Sequence, residues 1–175
     1  MIPSLTFHSF GPTIPAVDSN CFLTSQFCRQ GPITDVYPSS AINRRIAIKT
    51  IRKLGFINVT AANDGREALE YLTNLKCNAP QGLPPTVILM DVQMPVMDGY
   101  EATYKLRHEE PFVSDEALRD VPVVALTASA IQGDREKCFE KGMSDYLSKP
   151  FSTEALDGMI VKWAVRRRRR VSNAT

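Results

Sequence analysis

Three residues of this chain could together bind and move a phosphoryl group. Asp91 follows the apolar run "TVILM", Thr127 ends "VPVVALT", and Lys149 follows "DYLS". Each run reads as a strand, and residues at the carboxyl ends of parallel strands share one rim of a sheet. A carboxylate there is a nucleophile, while an ammonium and a hydroxyl beside it stabilise the oxygens of the group being transferred. Backbone amides in the turns after the strands add donors. The stretch "VILMDVQMPVMDGY" leaves Asp91 directly for a turn in which Pro95 fixes φ and Gly99 permits a geometry other residues resist.

These residues need a scaffold, and the pattern from residue 41 onward supplies one. "AINRRIAIKTIRKLGF" places Ile42, Ile46, Ile48, Ile51 and Leu54 on one side of a helix that stops at Gly55. "INVTAA" reads as a short β-branched strand, and "DGREALEYLTNL" as a helix capped by Asp64. The strand "TVILM" is apolar at every position after its threonine, which implies burial on both faces. Next come helix "GYEATYKLRHEE", strand "VPVVALT", helix "IQGDREKCFEKG", strand "DYLSK" and a closing helix "STEALDGMIVKWAVRR". Alternation of this kind predicts a doubly wound α/β sheet with its site at the strands' carboxyl ends.

Composition bounds the alternatives. With 175 residues, 43% of them hydrophobic, the chain has material for one domain with a core. No apolar run approaches the roughly 20 residues of a membrane-spanning helix, and the opening lacks the build of a secretory signal, so a soluble, intracellular, cytoplasmic protein is expected. Cys21, Cys28, Cys77 and Cys138 contain no C-x-x-C pair, and His8 and His108 are the only histidines, so zinc spacing is excluded and reduced thiols are expected. The net charge of +2 depends on Arg166–Arg170; the rest is slightly acidic, which gives no sign of nucleic-acid binding by the domain itself. Residues 1 to about 40 carry only Asp18, Arg29 and Asp35 as charges and five prolines, with no helical or strand period. Most of this stretch is expected to be irregular.

Three motifs in order, "LMDVQMPVMDGYEA", "VVALTA" and "GMSDYLSKPF", resemble the receiver domain of two-component response regulators. "AINRRIAIKTIRKLGF" looks like the first helix of the receivers that end eukaryotic, fungal-type hybrid histidine kinases. The resemblance covers about residues 41–165. It implies a flavodoxin-like parallel five-stranded sheet in the order 2-1-3-4-5. It implies that Asp91 accepts phosphate from a phosphohistidine on a histidine kinase or histidine phosphotransfer protein. Thr127 would turn toward the new phosphate, Tyr146 would swing in behind it, and Lys149 would pair with a phosphate oxygen, with Lys149–Pro150 a cis peptide. The cofactor implied is Mg2+, held by Asp91 and the backbone carbonyl of Gln93. Such a domain catalyses its own phosphorylation without turning over as an enzyme, and no kinase catalytic domain is present in this chain. Domain limits follow: a disordered leader at 1–32, the receiver at 33–165 and a basic tail at 166–175.

The sequence departs from the family at one place. Receivers carry two adjacent acids at the end of the first strand to hold magnesium, and counting back from "AINRR" those positions fall on Pro38 and Ser39. Neither supplies a carboxylate, so magnesium affinity should fall. Asp35 is the nearest acid, three and four residues upstream, and about 10 Å out of place at the rise of a strand. Two readings stay open: a degenerate receiver acting as a phosphorylation-independent interaction module, or a foreign leader that has degraded the first strand of what was the tail of a hybrid kinase. An aspartate-nucleophile phosphatase is disfavoured, because such enzymes resemble D-x-D here and this chain has Gln93.

Other polar and sulfur residues read as structural. Asp98 belongs to turn chemistry, Thr103, Asp115 and Asp134 are expected in solvent, and Met90, Met94 and Met97 are expected to pack around the site. Trp163 is the expected last anchor of the closing helix. The arginine run is a solvated helix end with cations near the negative pole, or a nuclear-import signal or acidic-partner contact.

Overall fold

The computed structural model of the chain describes residues 33–36, 41–56, 58–78, 84–128 and 132–173. The leader at 1–32, expected to be irregular, and Pro38 and Ser39 lie outside them. Five strands, β1 (Ile33–Val36), β2 (Val59–Ala62), β3 (Val87–Asp91), β4 (Val123–Thr127) and β5 (Asp145–Ser148), form one sheet in the order β2-β1-β3-β4-β5. Every pairing is parallel. Six helices accompany them among the described residues: α1 (Ala41–Lys53), α2 (Gly65–Asn78), α3 (Gly99–His108), α4 (Glu116–Arg119), α5 (Gln132–Glu140) and α6 (Thr153–Asn173). This is the expected flavodoxin-like order.

Strand β1 corrects one expectation. Residues 33–36 carry no alternating period, yet they form an inner strand between β2 and β3, with Val36 in register with Ala62 on one side and Met90 on the other. Two parallel neighbours supply a complete ladder for a four-residue segment that propensity alone would leave irregular.

The core is split by the sheet, as period-two alternation demands. Val87, Leu89, Val124 and Leu126 face Ala47 and Ile51 of α1 and Leu156 and Ile160 of α6. Ile88, Met90, Val123 and Ala125 face Leu69 and Leu72 of α2, Ala102 and Leu106 of α3, and Cys138 of α5. Both central strands β3 and β4 are buried at every position. Truncating Leu89, which is fully buried, would cost about 2–5 kcal/mol.

Local chemistry sets the helix limits. Asp64 Oδ1 accepts the Glu67 amide at 3.0 Å while Glu67 Oε2 accepts the Asn63 amide, a reciprocal cap that starts α2. Asp98 caps α3 by accepting the Glu101 amide at 2.8 Å, the structural role expected of it. Helix α1 ends where Gly55, at φ 91°, donates to Arg52 O and Phe56 donates to Ile51 O. Phe56 and Ile51 are both fully buried, so the stop is also a packing contact. Gly142, at φ 88°, ends α5 in the same way, with Met143 donating to Cys138 O.

Several polar residues are placed differently from expectation. Thr103 is fully buried rather than solvated, its hydroxyl donating to Gly99 O at 2.7 Å inside α3. Asp115 caps the short α4, which no sequence signal announced, by accepting the Leu118 amide. Arg107 spans the far rim, donating to Gly142 O, Arg119 O and Val121 O, and its burial lowers its pKa to about 10 despite nearby Asp120. The arginine run lies within α6, which continues to Asn173. Arg166 and Arg169 are exposed, but Arg167 is folded back and donates to Ala117 O of α4 at 2.7 Å. Trp163 is half-buried, and Ala164 one residue later is the last buried side chain described. Cys138 is buried and reduced; Cys21, Cys28 and the Cys77 side chain lie outside what is described. No helix among the described residues is long and apolar enough to cross a membrane.

Asp145 joins β5 to α6. Its carboxylate accepts from Lys162 Nζ at 2.6 Å, Trp163 Nε1 at 3.1 Å and the Tyr146 amide at 3.0 Å. Burial opposes the charged form, but these donors outweigh it and the pKa is lowered. A depressed carboxylate stabilises the fold above its unfolded pKa of about 4, and that contribution is lost as pH falls through the lower folded value. Asp145→Asn is therefore expected to melt below the parent at pH 7, with the gap closing as thermal scans are taken to progressively more acid pH.

Candidate functional site

The sheet brings Asp91, Thr127 and Lys149 to one rim, as the strand ends predicted. Asp91 is the last residue of β3 and its side chain is 4% exposed; Thr127 is the last residue of β4 and is also buried. Lys149 directly follows β5 and reaches across β4 to form an ion pair with Asp91 Oδ2. Its course is fixed by a backbone bond from its amide to Thr127 O at 2.7 Å, and Lys149–Pro150 is cis. The other oxygen, Asp91 Oδ1, accepts the Gln93 amide at 3.0 Å. Both oxygens of a buried carboxylate thus have charged or amide donors, which fix its orientation at the rim.

The turn after Asp91 is held tightly. Val92 donates to Leu126 O at 3.1 Å, anchoring the turn to β4. The chain then folds back so closely that a Cβ on Gly99 would lie 2.2 Å from Asp91 O and 2.8 Å from Met90 Cγ. Only glycine fits, so the start of α3 and Asp91 share one contact. Val96, between them, has φ 65° and is 69% exposed, and Met97 donates to Pro95 O at 2.7 Å across it. A β-branched residue at positive φ is strained, and no sequence signal announced it, since glycine or asparagine is the usual choice there. Met94 and Met97 pack against the core beneath, as expected.

Tyr146 is in register with Ala125, two positions before Thr127 and on the same face of the sheet. It is half-buried against the core beneath α5, with the Arg135 guanidinium 5.6 Å from its ring centroid. Asp134, expected in solvent, is partly buried on the same helix.

The described residues do not make a complete magnesium site. They hold no group of three acidic, histidine or cysteine side chains that could bind a metal ion. Asp35, the one acid of β1, is in register with Leu89, two positions short of Asp91 and so about 6–7 Å down the strand. Pro38 and Ser39 bring no carboxylate. Asp91 and the Gln93 carbonyl alone fall short of the hard, six-fold oxygen set that magnesium demands.

Gly99→Ala is expected to cost about 1–3 kcal/mol through overpacking and to move Asp91. A lowered melting temperature, with the largest amide shift changes at residues 91–93, is the measurement; an unperturbed spectrum would contradict the close approach.

Comparison with known proteins places this rim in context. The family model described as "Response regulator receiver domain" matches residues 39–161. Hybrid signal transduction histidine kinase I of Dictyostelium discoideum is 35% identical over 121 residues, and Histidine kinase 2 of Arabidopsis thaliana is 36% identical over 138; each match covers 69% of this chain. The chain spans only 6% and 11% of those two relatives. Among solved structures, the receiver domain of a sensor histidine kinase from Pseudomonas aeruginosa, with a magnesium ion coordinated in its active-site cleft, is 35% identical with a TM-score of 0.59; the match covers 77% of this chain and 98% of that one. The co-crystal structure of the Saccharomyces cerevisiae histidine phosphotransfer protein Ypd1 with the receiver domain of Ssk1 gives 31% identity and a TM-score of 0.64 over 78% of this chain and 90% of that one. With the parallel sheet and with Asp91, Lys149 and Thr127 at one rim, these matches show that the chain belongs to the response regulator receiver domain family.

Proposed function

We propose that this domain acts in a phosphorelay by accepting a phosphoryl group on Asp91 from a phosphohistidine of a histidine kinase or histidine phosphotransfer protein. The observation that carries the reading is the Asp91 carboxylate, buried at the rim, paired with Lys149 and next to the end of the strand that bears Thr127. A histidine phosphotransfer partner is supported by the Ypd1–Ssk1 receiver complex among the similar structures.

In the transfer an Asp91 oxygen attacks phosphorus. The new O–P bond forms as the P–N bond to imidazole breaks, and the electron pair returns to the imidazole nitrogen. The product is an acyl phosphate. Lys149, already against Asp91 Oδ2, neutralises charge on the incoming oxygens, and the Gln93 amide directs the attacking carboxylate. The Thr127 hydroxyl, at the end of the neighbouring strand, donates to a phosphoryl oxygen in this reading. Turning Thr127 would empty space on the face it shares with Tyr146, which is the packing change that couples the rim to the surface beside α5.

A second reading, a phosphorylation-independent interaction module, is favoured by one observation, the lack of carboxylates at Pro38 and Ser39. Incubation with a small-molecule phosphodonor followed by intact-mass measurement separates the two. A single phosphoryl adduct is expected on the parent and none on Asp91→Asn. Lys149→Gln should label more slowly by about ten-fold or more, and Thr127→Ala should label but lose any phosphorylation-dependent change in partner affinity. No adduct on a folded parent leaves the interaction module as the function.

A further inference from the structure

The charges at the rim of this receiver already balance. Asp91 contributes one negative charge, and Lys149 one positive charge in direct contact with it. A pair of acids beside Asp91 would leave two net negative charges, the match for a divalent cation. This chain has Pro38 and Ser39 where the resemblance places that pair. The register of β1 holds Asp35 opposite Leu89, and sliding it to the rim would break eight register pairs, four on each side. A magnesium ion entering here would meet a carboxylate whose oxygens are both engaged, and an ammonium that repels it.

We infer that Lys149 takes the place of the divalent cation as the counter-charge of Asp91, so that this domain is a metal-insensitive acceptor. The inference deepens the receiver reading by naming the cofactor requirement of its site, and it rests on that reading only for the word acceptor. Losing two carboxylate ligands should weaken magnesium by more than the roughly 10–100-fold that loss of an outer-shell partner costs.

Metal binding is tested without any phosphodonor, so its outcome is independent of whether Asp91 is ever phosphorylated. Backbone amide resonances of Asp91, Val92, Gln93 and Lys149 are followed while the full chain is titrated with magnesium chloride against a sodium chloride control of equal ionic strength. No saturable shift beyond the control is expected for the parent. A saturable shift is expected for the variant carrying Pro38→Asp and Ser39→Asp. A saturable shift in the parent that Asp91→Asn abolishes would overturn the inference, and its loss in Asp35→Asn would assign the missing ligand to Asp35. A folded restored variant that still fails to bind would overturn the charge argument. The parent titration decides the matter alone should the restored variant not fold. In a parallel labelling experiment, a chelator should leave the parent rate within about two-fold and slow the restored variant; a parent rate that collapses in chelator contradicts the inference.

Discussion

A buried carboxylate needs a partner, and in this protein the whole rim is organised to give Asp91 one. Removing one member of a buried pair costs up to about 3–5 kcal/mol, because the remaining charge is left desolvated. Lys149 remains partly exposed, with 29% of its side chain in solvent, so the figure here is at the lower end. To meet Asp91 the lysine must cross β4, and it can do so only if β3, β4 and β5 are parallel and correctly staggered. The register of Leu126 with Asp91 and of Ser148 with Thr127 provides that stagger. Apolar side chains on both sheet faces lock it, since a one-residue slip would turn buried leucines and valines toward the wrong layer.

The same constraint explains the less obvious residues. Asp145, tied to Lys162 and Trp163, fixes where β5 begins and hence where Tyr146 and Lys149 fall. Gly99 lets α3 start against the carbonyl of Asp91. Arg107 fastens the opposite rim, where α3, the α4 segment and the turn before β5 meet. Function at one end of the strands thus depends on hydrogen-bonded clasps at both.

Much of this was legible in the sequence, and the reasons are physical. Strands β3 and β4 declare themselves because two-sided burial leaves no polar position in them, and the reactive residues stand out as the first polar ones at their ends. The glycine stops at Gly55 and the cap at Asp64 are local effects, so local sequence carries them. Strand β1 was not legible, because its pairing is supplied wholly by distant neighbours, and "ITDV" shows no period of its own. Thr103 read as solvated because a threonine can satisfy its hydroxyl within its own helix, on Gly99 O, and so be buried without any sequence signal. Val96 at positive φ and Arg167 against α4 are likewise tertiary facts.

The central claim is that Asp91 carries the phosphoryl group as an acyl phosphate. Its most direct test is to treat the chain with a phosphodonor, reduce it with borohydride, digest it and sequence the peptide spanning "VILMDVQMPVMDGY" by mass spectrometry. Reduction converts an aspartyl phosphate, and not a free aspartate, into homoserine. Homoserine at position 91 and nowhere else is the predicted result. Homoserine at another aspartate, or unmodified Asp91 in a folded chain that retains the label elsewhere, would contradict the account.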